Sequence, residues 1–541
     1  MANTSSLLTT YAIIHELEKF YYSPISYVGE GKNLMSNLYC FLSYDNTVQD
    51  PNDPIEESVR KMKNIFDNMF AIKRLRNNEI SPAIENIRWE KDIPYDIYKD
   101  SDDIFQKNAL GKLIKHFYII NKYDQVFKCL WNAKDISQSS NIILIERFQD
   151  NTINVYFETA IEYNIGDYIT LDNVSPKSYN GIYKVVYSAS NVVTLEASKT
   201  KLYSIYTDEQ YVSGGIIYSS PLSQYEPFLD IGTFDNSLLI TTADGYKWKY
   251  IFTLDKGQKE RFFNSDYVPI LIGTESPPNS FISTYGSGSI DCVGVANSGS
   301  LYIDGIDTTE IRIVGDGTGA NAVAYVVSNT IQDIIITDFG KNYTYANVEI
   351  VPVLGDGTGA IAEVYPSPIG GHGFDPITEF GCDTLIVTAQ FEGSEGGKIP
   401  TDIIFNQIGL LVNPYSKDNQ EFHANGTIYT TYTSLLISPS VTQFERGEIV
   451  IQGVDVNNYT YKAECLSYDN INNVLYVINT DGTPSLNYAI YGTSSGAYSI
   501  LSGTNPPTLS PYTGYITYIQ NLYPTQRNAL DTEKFNLILK Y

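Results

Sequence analysis

The chain has 541 residues, with 36 Lys and Arg against 62 Asp and Glu, giving a net charge of −26. A surface this acidic is repelled by phosphate backbones, which argues against nucleic acid as a direct partner. Its 43% hydrophobic and 18% charged residues are the proportions of packed cores rather than of a disordered chain, and the length predicts roughly three or four domains.

The first residues, Met1 to Leu8, carry no basic residue and lead into no clear cleavage site, so they do not read as a secretory signal. No run approaches the ~18 apolar residues of a membrane span, and a soluble chain without membrane insertion is expected. One helix is predicted near the start, with Asp53 as its cap, Pro54 in its first turn and Glu56 at the capping-box spacing. Val59, Met62, Phe66 and Met69 recur at helical spacing and predict the buried face.

After about residue 140 short strands with glycine turns take over. Gly166-Asp167-Tyr168-Ile169-Thr170-Leu171, a turn at Asn180-Gly181 and Val192-Val193-Thr194-Leu195 predict a small β-barrel or sandwich within 143–216. Gly447-Glu448-Ile449-Val450-Ile451, Tyr459 to Ala463, Leu475 to Ile478 and a turn at Asp481-Gly482 repeat that logic within 440–510. Between them lies an internal repeat. Gly315-Asp316-Gly317-Thr318-Gly319-Ala320 returns forty residues later as Gly355-Asp356-Gly357-Thr358-Gly359-Ala360, and Gly299-Ser300-Leu301-Tyr302 is answered by Gly340-Lys341-Asn342-Tyr343. Two such copies predict a tandem β-unit in which each helps bury the other.

The expected fold class is therefore mainly β with a small N-terminal α+β part: a multi-domain chain with β-sandwich or barrel-like modules inserted into a β-rich core. The expected division is an N-terminal α+β part over 1–142, an inserted module over 143–216, core strands over 217–282, the two-copy repeat over 283–368, core strands over 369–439, a second inserted module over 440–510 and C-terminal core strands over 511–541.

Chemistry is sparse. The five cysteines, Cys40, Cys129, Cys292, Cys382 and Cys465, are odd in number and scattered, so neither a disulfide framework nor a zinc site is predicted. The Gly-Asp-Gly-Thr-Gly loops lack the Lys-Ser/Thr of a phosphate cradle and offer one aspartate each, too few for calcium, and read as tight turns. His15, His116, His372 and His423 are far apart. His372, within Gly370-Gly371-His372-Gly373-Phe374-Asp375-Pro376, is a candidate ligand or base, with a structural loop the stronger reading. No catalytic, cofactor-binding or metal-ligating set is predicted, and no enzyme.

The most informative stretch is Asp244-Gly245-Tyr246-Lys247-Trp248-Lys249-Tyr250-Ile251-Phe252-Thr253-Leu254. Asp244-Gly245 predicts a primed hairpin turn. The alternation after it predicts a half-buried strand with Tyr246, Trp248, Tyr250, Phe252 and Leu254 on one face and Lys247, Lys249 and Thr253 on the other. This stretch resembles the Asp-Gly-Tyr-x-Trp-x-Tyr-x-Phe strand of a baseplate wedge subunit of contractile-tailed, T-even-like bacteriophages, the eighth-gene-product family. Further blocks follow in the family's order: Asn37 to Tyr44, Ala83 to Trp89 with Ile93 to Asp96, Val126 to Leu130, Phe405 to Pro414, and Gly514 to Asn521 through Thr532 to Leu539, a closing pair of strands. Leu522 stands where the family commonly has Arg.

The resemblance implies a non-enzymatic structural protein of the virion tail baseplate, made late in infection and assembled in the host cytoplasm. Its implied partners are itself, as a homodimer, and other wedge proteins. The inserted modules are not part of the family's minimal pattern. The alternative reading is a carbohydrate- or receptor-binding tail protein, with which repeated β-units and abundant tyrosine are compatible.

Overall fold

The computed structural model describes residues 37–540 except 49, 56–57, 101–102, 149–150, 198–208, 231–237, 271–286, 306–307, 394, 396–397, 421–422 and 529. Strands dominate and helices are few, in several sheets that include small closed barrels, so the chain is a multi-domain β-rich protein. The described chain forms two compact units, one from residues up to 81 and from 384 onward, the other from 82–383. Met1 to Leu8, His15 and Glu56 lie outside the described residues.

In the first unit, Leu38–Ser43 pairs on one side with Met69–Arg74 and on the other with Ile403–Val412, which in turn pairs with Tyr515–Arg527. Leu38–Ser43 is buried at every position, which explains its unbroken apolar run. Leu38, Cys40 and Leu42 join a core with Leu385, Val387 and Phe391, while Tyr39 and Phe41 join Ile65, Ile72 and Leu411 on the opposite face. The polar side chains between are bonded to one another. Asn406 Nδ2 donates to the Asp45 carbonyl at 2.7 Å, and Gln407 joins Ser43 (3.1 Å) to Asn521 (2.9 Å). Leu522 packs against the first of these cores. The closing strands do not pair with each other: Tyr515–Arg527 joins Ile403–Val412, and Thr532–Lys540 joins Thr384–Glu392.

The helix runs over Val59–Asn68, and its cap is Ser58, whose hydroxyl accepts from the Lys61 amide at 3.1 Å. The expected cap at Asp53 is wrong, because Asp53 is held in a local turn in which its carboxylate accepts from the Asp50 amide at 3.0 Å. The inward stripe is the buried Ile65 with the partly buried Met62 and Phe66. Val59 points into solvent, and Met69 already begins the next strand.

Each unit carries one closed six-stranded barrel. The first is built from Ser140–Arg147, Thr152–Phe157, Tyr168–Asp172, Gly181–Ala189, Val192–Glu196 and Ile216–Ser219. The second uses Thr433–Ile437, Ile449–Asp455, Asn458–Asp469, Val474–Gly482, Ala489–Gly492 and Tyr498–Asn505. Counting strands in chain order, the cyclic neighbours in the second barrel are first, fourth, third, second, fifth, sixth. Advancing each by one position, with the sixth becoming the first, reproduces the neighbours in the first barrel. The two are the same barrel, circularly permuted.

Local bonding agrees with this. The Gly166 amide donates to Val185 O while the Val185 amide donates to Asp167 O, and Gly447, Cys465 and Glu448 do the same. In each, the acid after the glycine accepts from the amide three residues earlier, at 2.8 Å for Asp167 and 2.6 Å for Glu448. Asp481-Gly482 is not a turn: Gly482 ends its strand opposite Tyr461.

The internal repeat is interlaced rather than stacked. Val293–Tyr302 of the first copy pairs with Gly355–Val364 of the second, and Thr318–Val327 of the first pairs with Thr330–Lys341 of the second. The middle strands, Thr309–Gly315 and Ala346–Pro352, pair with each other. There the equivalent residues Ile311 and Ile350 stand opposite, with Glu310 against Val351 and Arg312 against Glu349. That is the register of a two-fold axis.

The core obeys the same symmetry, with Ile290 and Ile331, Val293 and Ile334, and Tyr302 and Tyr343 as equivalent pairs. Tyr343 covers Gly317 and Tyr302 covers Gly357 so closely that a Cβ at either glycine would collide with the ring. In the first copy Asp316 and Gly317 form the expected tight bend. In the second, Gly355 to Gly359 lie within a strand and the bend moves to Val353 and Leu354. Copy two has one residue more between its Glu-Ile pair and the glycine, which displaces the bend.

In the second unit, Tyr246–Thr253 lies between Leu239–Thr241 and Gln125–Asn132, with Tyr118–Ile120 beyond. The expected turn type is corrected. Gly245 takes the left-handed conformation (φ 85°) without Asp244, its amide donates to Thr242 O, and the Thr242 amide donates to Tyr246 O. This is a three-residue hairpin loop, not a primed two-residue turn. Tyr246 stacks on Trp248 with ring centroids 5.6 Å apart, and Tyr95 meets Trp248 edge-on at 5.4 Å. The strand is not half-buried, since Lys247 and Lys249 are buried as well.

Two predictions follow from this packing. Trp248→Ala should lower the unfolding free energy by about 3–5 kcal/mol, as for truncating a buried aromatic, and a loss below about 1 kcal/mol in urea melts would contradict burial. Gly317→Ala and Gly357→Ala should each cost about 1–3 kcal/mol, because in both a Cβ would meet the tyrosine ring of the other copy. A large effect at one glycine with none at the other would break the two-fold reading.

Candidate functional site

The face of the central sheet opposite Trp248 carries lysines instead of apolar side chains. Lys128 and Lys249 are cross-strand register partners, and Lys247 is the partner of Trp131. Like charges directly opposite repel, and these ammonium groups are cut off from water, Lys128 completely. Each is neutralised by a carboxylate brought from elsewhere in the unit.

Lys249 pairs with Asp291 at 2.7 Å. Lys247 pairs with Asp333 at 2.6 Å and donates to the Val293 carbonyl at 2.9 Å, so the two-fold repeat is fastened to the sheet through its first strands. Lys128 pairs with Glu379 and lies 3.8 Å from the centre of the Tyr98 ring. Lys134, just past the end of the same strand, takes Asp172 of the barrel at 2.8 Å and Glu363 of the repeat at 2.7 Å.

Electrostatics follow burial. Burial pulls the Lys128 ammonium below its ordinary range, although Glu379 works the other way. For Lys134 burial is outweighed by Asp172 and Glu363, which hold it above the ordinary value. Burial pushes the Asp291 carboxyl up, but the Lys249 ammonium and the Ser289 hydroxyl prevail and bring it down to about 2.

His372 belongs to this cluster. Its ring meets Tyr98 edge-on at 5.5 Å, its Nδ1 is buried without a hydrogen-bond partner, and burial, with Lys128 and Lys249 nearby, holds it well below 6.5. A proton on His372 would place a third cation beside two lysines. The ring is therefore a neutral packing element in a loop whose Gly370, Gly371 and Gly373 all have positive φ. Glu379 fixes that loop, accepting from the Gly373 amide at 2.7 and 2.9 Å and from the Asp375 amide at 3.1 Å. His116 is buried elsewhere in the unit, and burial brings it down to about 4. His423 packs edge-on against Tyr415. Among the described residues none of these histidines belongs to a group that could hold a metal ion.

The other candidates are occupied structurally. Asp316 of the first glycine loop accepts from the Thr344 amide at 2.8 Å, its hydroxyl at 2.5 Å and the Tyr345 amide at 3.2 Å. Asp244 accepts from the Gln224 amide at 2.6 Å and the Thr242 hydroxyl at 2.5 Å. All five cysteines are buried thiols outside any disulfide, and burial pushes the Cys292 thiol up to about 11. Among the described residues no group of three or more His, Cys, Asp and Glu is arranged for a metal ion, and no helix is long and apolar enough to cross a membrane.

The lysine face was not expected from sequence. Its one local signal is a lysine set in an otherwise apolar strand, as in Val126-Phe127-Lys128-Cys129-Leu130. The carboxylate partners are remote, Glu379 lying 251 residues from Lys128. No family model matches the chain, and no curated protein matches it.

A base whose pKa is depressed by folding stabilises the fold fully above its unfolded value near 6.5, and that contribution is lost as pH falls toward the folded value. For His116 the loss should reach about 3 kcal/mol between about pH 6.5 and pH 4. Comparing urea melts of the wild type and His116→Gln isolates this from the carboxylates, among them Asp96, whose carboxyl burial pushes upward. Parallel pH profiles for the two proteins would show that His116 is not held neutral.

Proposed function

We propose that the chain is a structural subunit of a phage tail baseplate wedge. It links neighbouring wedge proteins during baseplate assembly and sheath-contraction triggering, associates with a second copy of itself, and performs no catalysis. One observation carries the reading. Five of the sequence blocks that resemble the wedge family, far apart along the chain, lie on strands that are register partners, while Thr532 to Leu539 pairs instead with Thr384–Glu392. Leu38–Ser43, Ile403–Val412 and Tyr515–Arg527 are consecutive neighbours, as are Gln125–Asn132 and Tyr246–Thr253. Within each unit these blocks are neighbours in one sheet, whereas chance similarities would scatter. The barrels and the two-fold repeat lie outside these blocks and are the parts free to make contacts of their own. Consumption of the buried charged groups in internal pairs supports action through surfaces, for which aromatic anchors supply affinity and charge supplies register.

The second reading, a carbohydrate- or receptor-binding tail protein, is favoured by Tyr491 and Tyr498, cross-strand partners on the second barrel whose exposed rings lie 5.3 Å apart. An affinity pull-down of the tagged chain from infected cells, with partners counted by mass spectrometry, separates the two. The wedge reading predicts other baseplate proteins at fixed ratios with this chain in even copy number. Host glycans or receptors without baseplate proteins would overturn it.

A further inference from the structure

The loop over 369–375 combines three features that stability alone does not require. Ile369 and Phe374 are 85% and 62% exposed, so the loop shows two large apolar side chains to solvent. Its backbone passes through three left-handed glycines, with the Phe374 ring lying over Gly370. Its inner side is held by Glu379, whose partner is the fully buried Lys128. A buried ion pair is an expensive fastener, since an apolar pair of similar volume commonly holds as well, and losing one partner strands the other charge.

We propose that residues 369–380 form a two-state electrostatic latch, closed by the Lys128–Glu379 pair and opening as a unit when that pair is broken. The bistability follows from the surroundings. Lys128 meets Glu379 from the helical turn Pro376–Glu379 and the ring of Tyr98, with Lys249 as its neighbour across the sheet and His372 close by. Lys249 is neutralised separately by Asp291, so it cannot release a carboxylate to Lys128. A partly withdrawn Glu379 would leave the Lys128 ammonium among the Tyr98 and Phe380 rings with only Asp291, already committed to Lys249, near it, so intermediate positions are disfavoured and the loop is either seated or away. Because Glu379 bonds the Gly373 and Asp375 amides directly, a displacement of Phe374 is transmitted to the pair. A contact at the exposed tip is thereby read by the sheet. The latch stands on this geometry and holds whether or not the chain works in a baseplate.

Hydrogen exchange by mass spectrometry on the intact chain tests it with Glu379→Gln, Lys128→Met and the double variant. Glutamine can still accept from the two amides, so Glu379→Gln removes the charge while keeping the shape. Amides of 369–375 should exchange about tenfold faster in Glu379→Gln, with 153–157 and 403–412 unchanged, and the double variant should return to within about threefold of the wild type. Should Lys128→Met alone fail to fold, the Glu379→Gln and double proteins carry the comparison. An unchanged loop in Glu379→Gln overturns the latch. So does a double variant that exchanges as fast as Glu379→Gln or does not fold, because removing both charges together should leave the loop seated.

Discussion

Lysine ammonium groups that cannot reach water are the constraint around which residues 82–383 are organised. An isolated buried charge costs several kcal/mol even after relaxation, so each of Lys128, Lys134, Lys247 and Lys249 requires its carboxylate. Those carboxylates belong to the barrel (Asp172), the two-fold repeat (Asp333 and Glu363), the segment leading into it (Asp291) and a helical turn (Glu379). Apolar contact would hold these modules against the sheet in many registers. Point charges that must meet particular carboxylates select one. The aromatic face carrying Trp248 supplies cohesion, and the lysine face supplies register.

The modules share an economy of design. One barrel topology occurs twice, with its chain ends opened at different strands, and one three-stranded unit occurs twice and closes on itself through a two-fold axis. The interlaced repeat explains the wide spacing of its motif. Gly299 to Tyr302 must meet the glycine loop of the other copy, and so must Gly340 to Tyr343, so neither half completes a core alone. A chain assembled from such units suits a part that holds neighbours in place, which accords with the proposed wedge role.

Much of the β architecture was legible because burial leaves periodic marks. The short glycine-punctuated strands of the two barrels and the stripe Tyr246, Trp248 and Tyr250 are where sequence reading and structure meet. The misses have physical causes. Lys247 and Lys249 looked solvent-facing because alternation records side-chain polarity, and a polar face buried under ion pairs has the same pattern as a wet one. Asp53 lost the helix cap to Ser58 because a local turn had already engaged its carboxylate. Interlacing and circular permutation leave no periodic trace, since both concern which remote strands become neighbours. His372 was singled out for chemistry by its glycine-rich setting, yet those glycines serve the loop that Glu379 holds, and a partner 251 residues away from Lys128 cannot be read from spacing.

The most direct test of this account is a double-mutant cycle on Lys249 and Asp291, read by urea unfolding of the intact chain. If register in this unit rests on paired buried charges, Lys249→Met and Asp291→Leu should each cost about 3–5 kcal/mol, and the double variant should recover to within about 1–2 kcal/mol of the wild type. Strictly additive losses, with the double variant weaker than either single one, would contradict it and assign the cohesion of the unit to apolar packing alone.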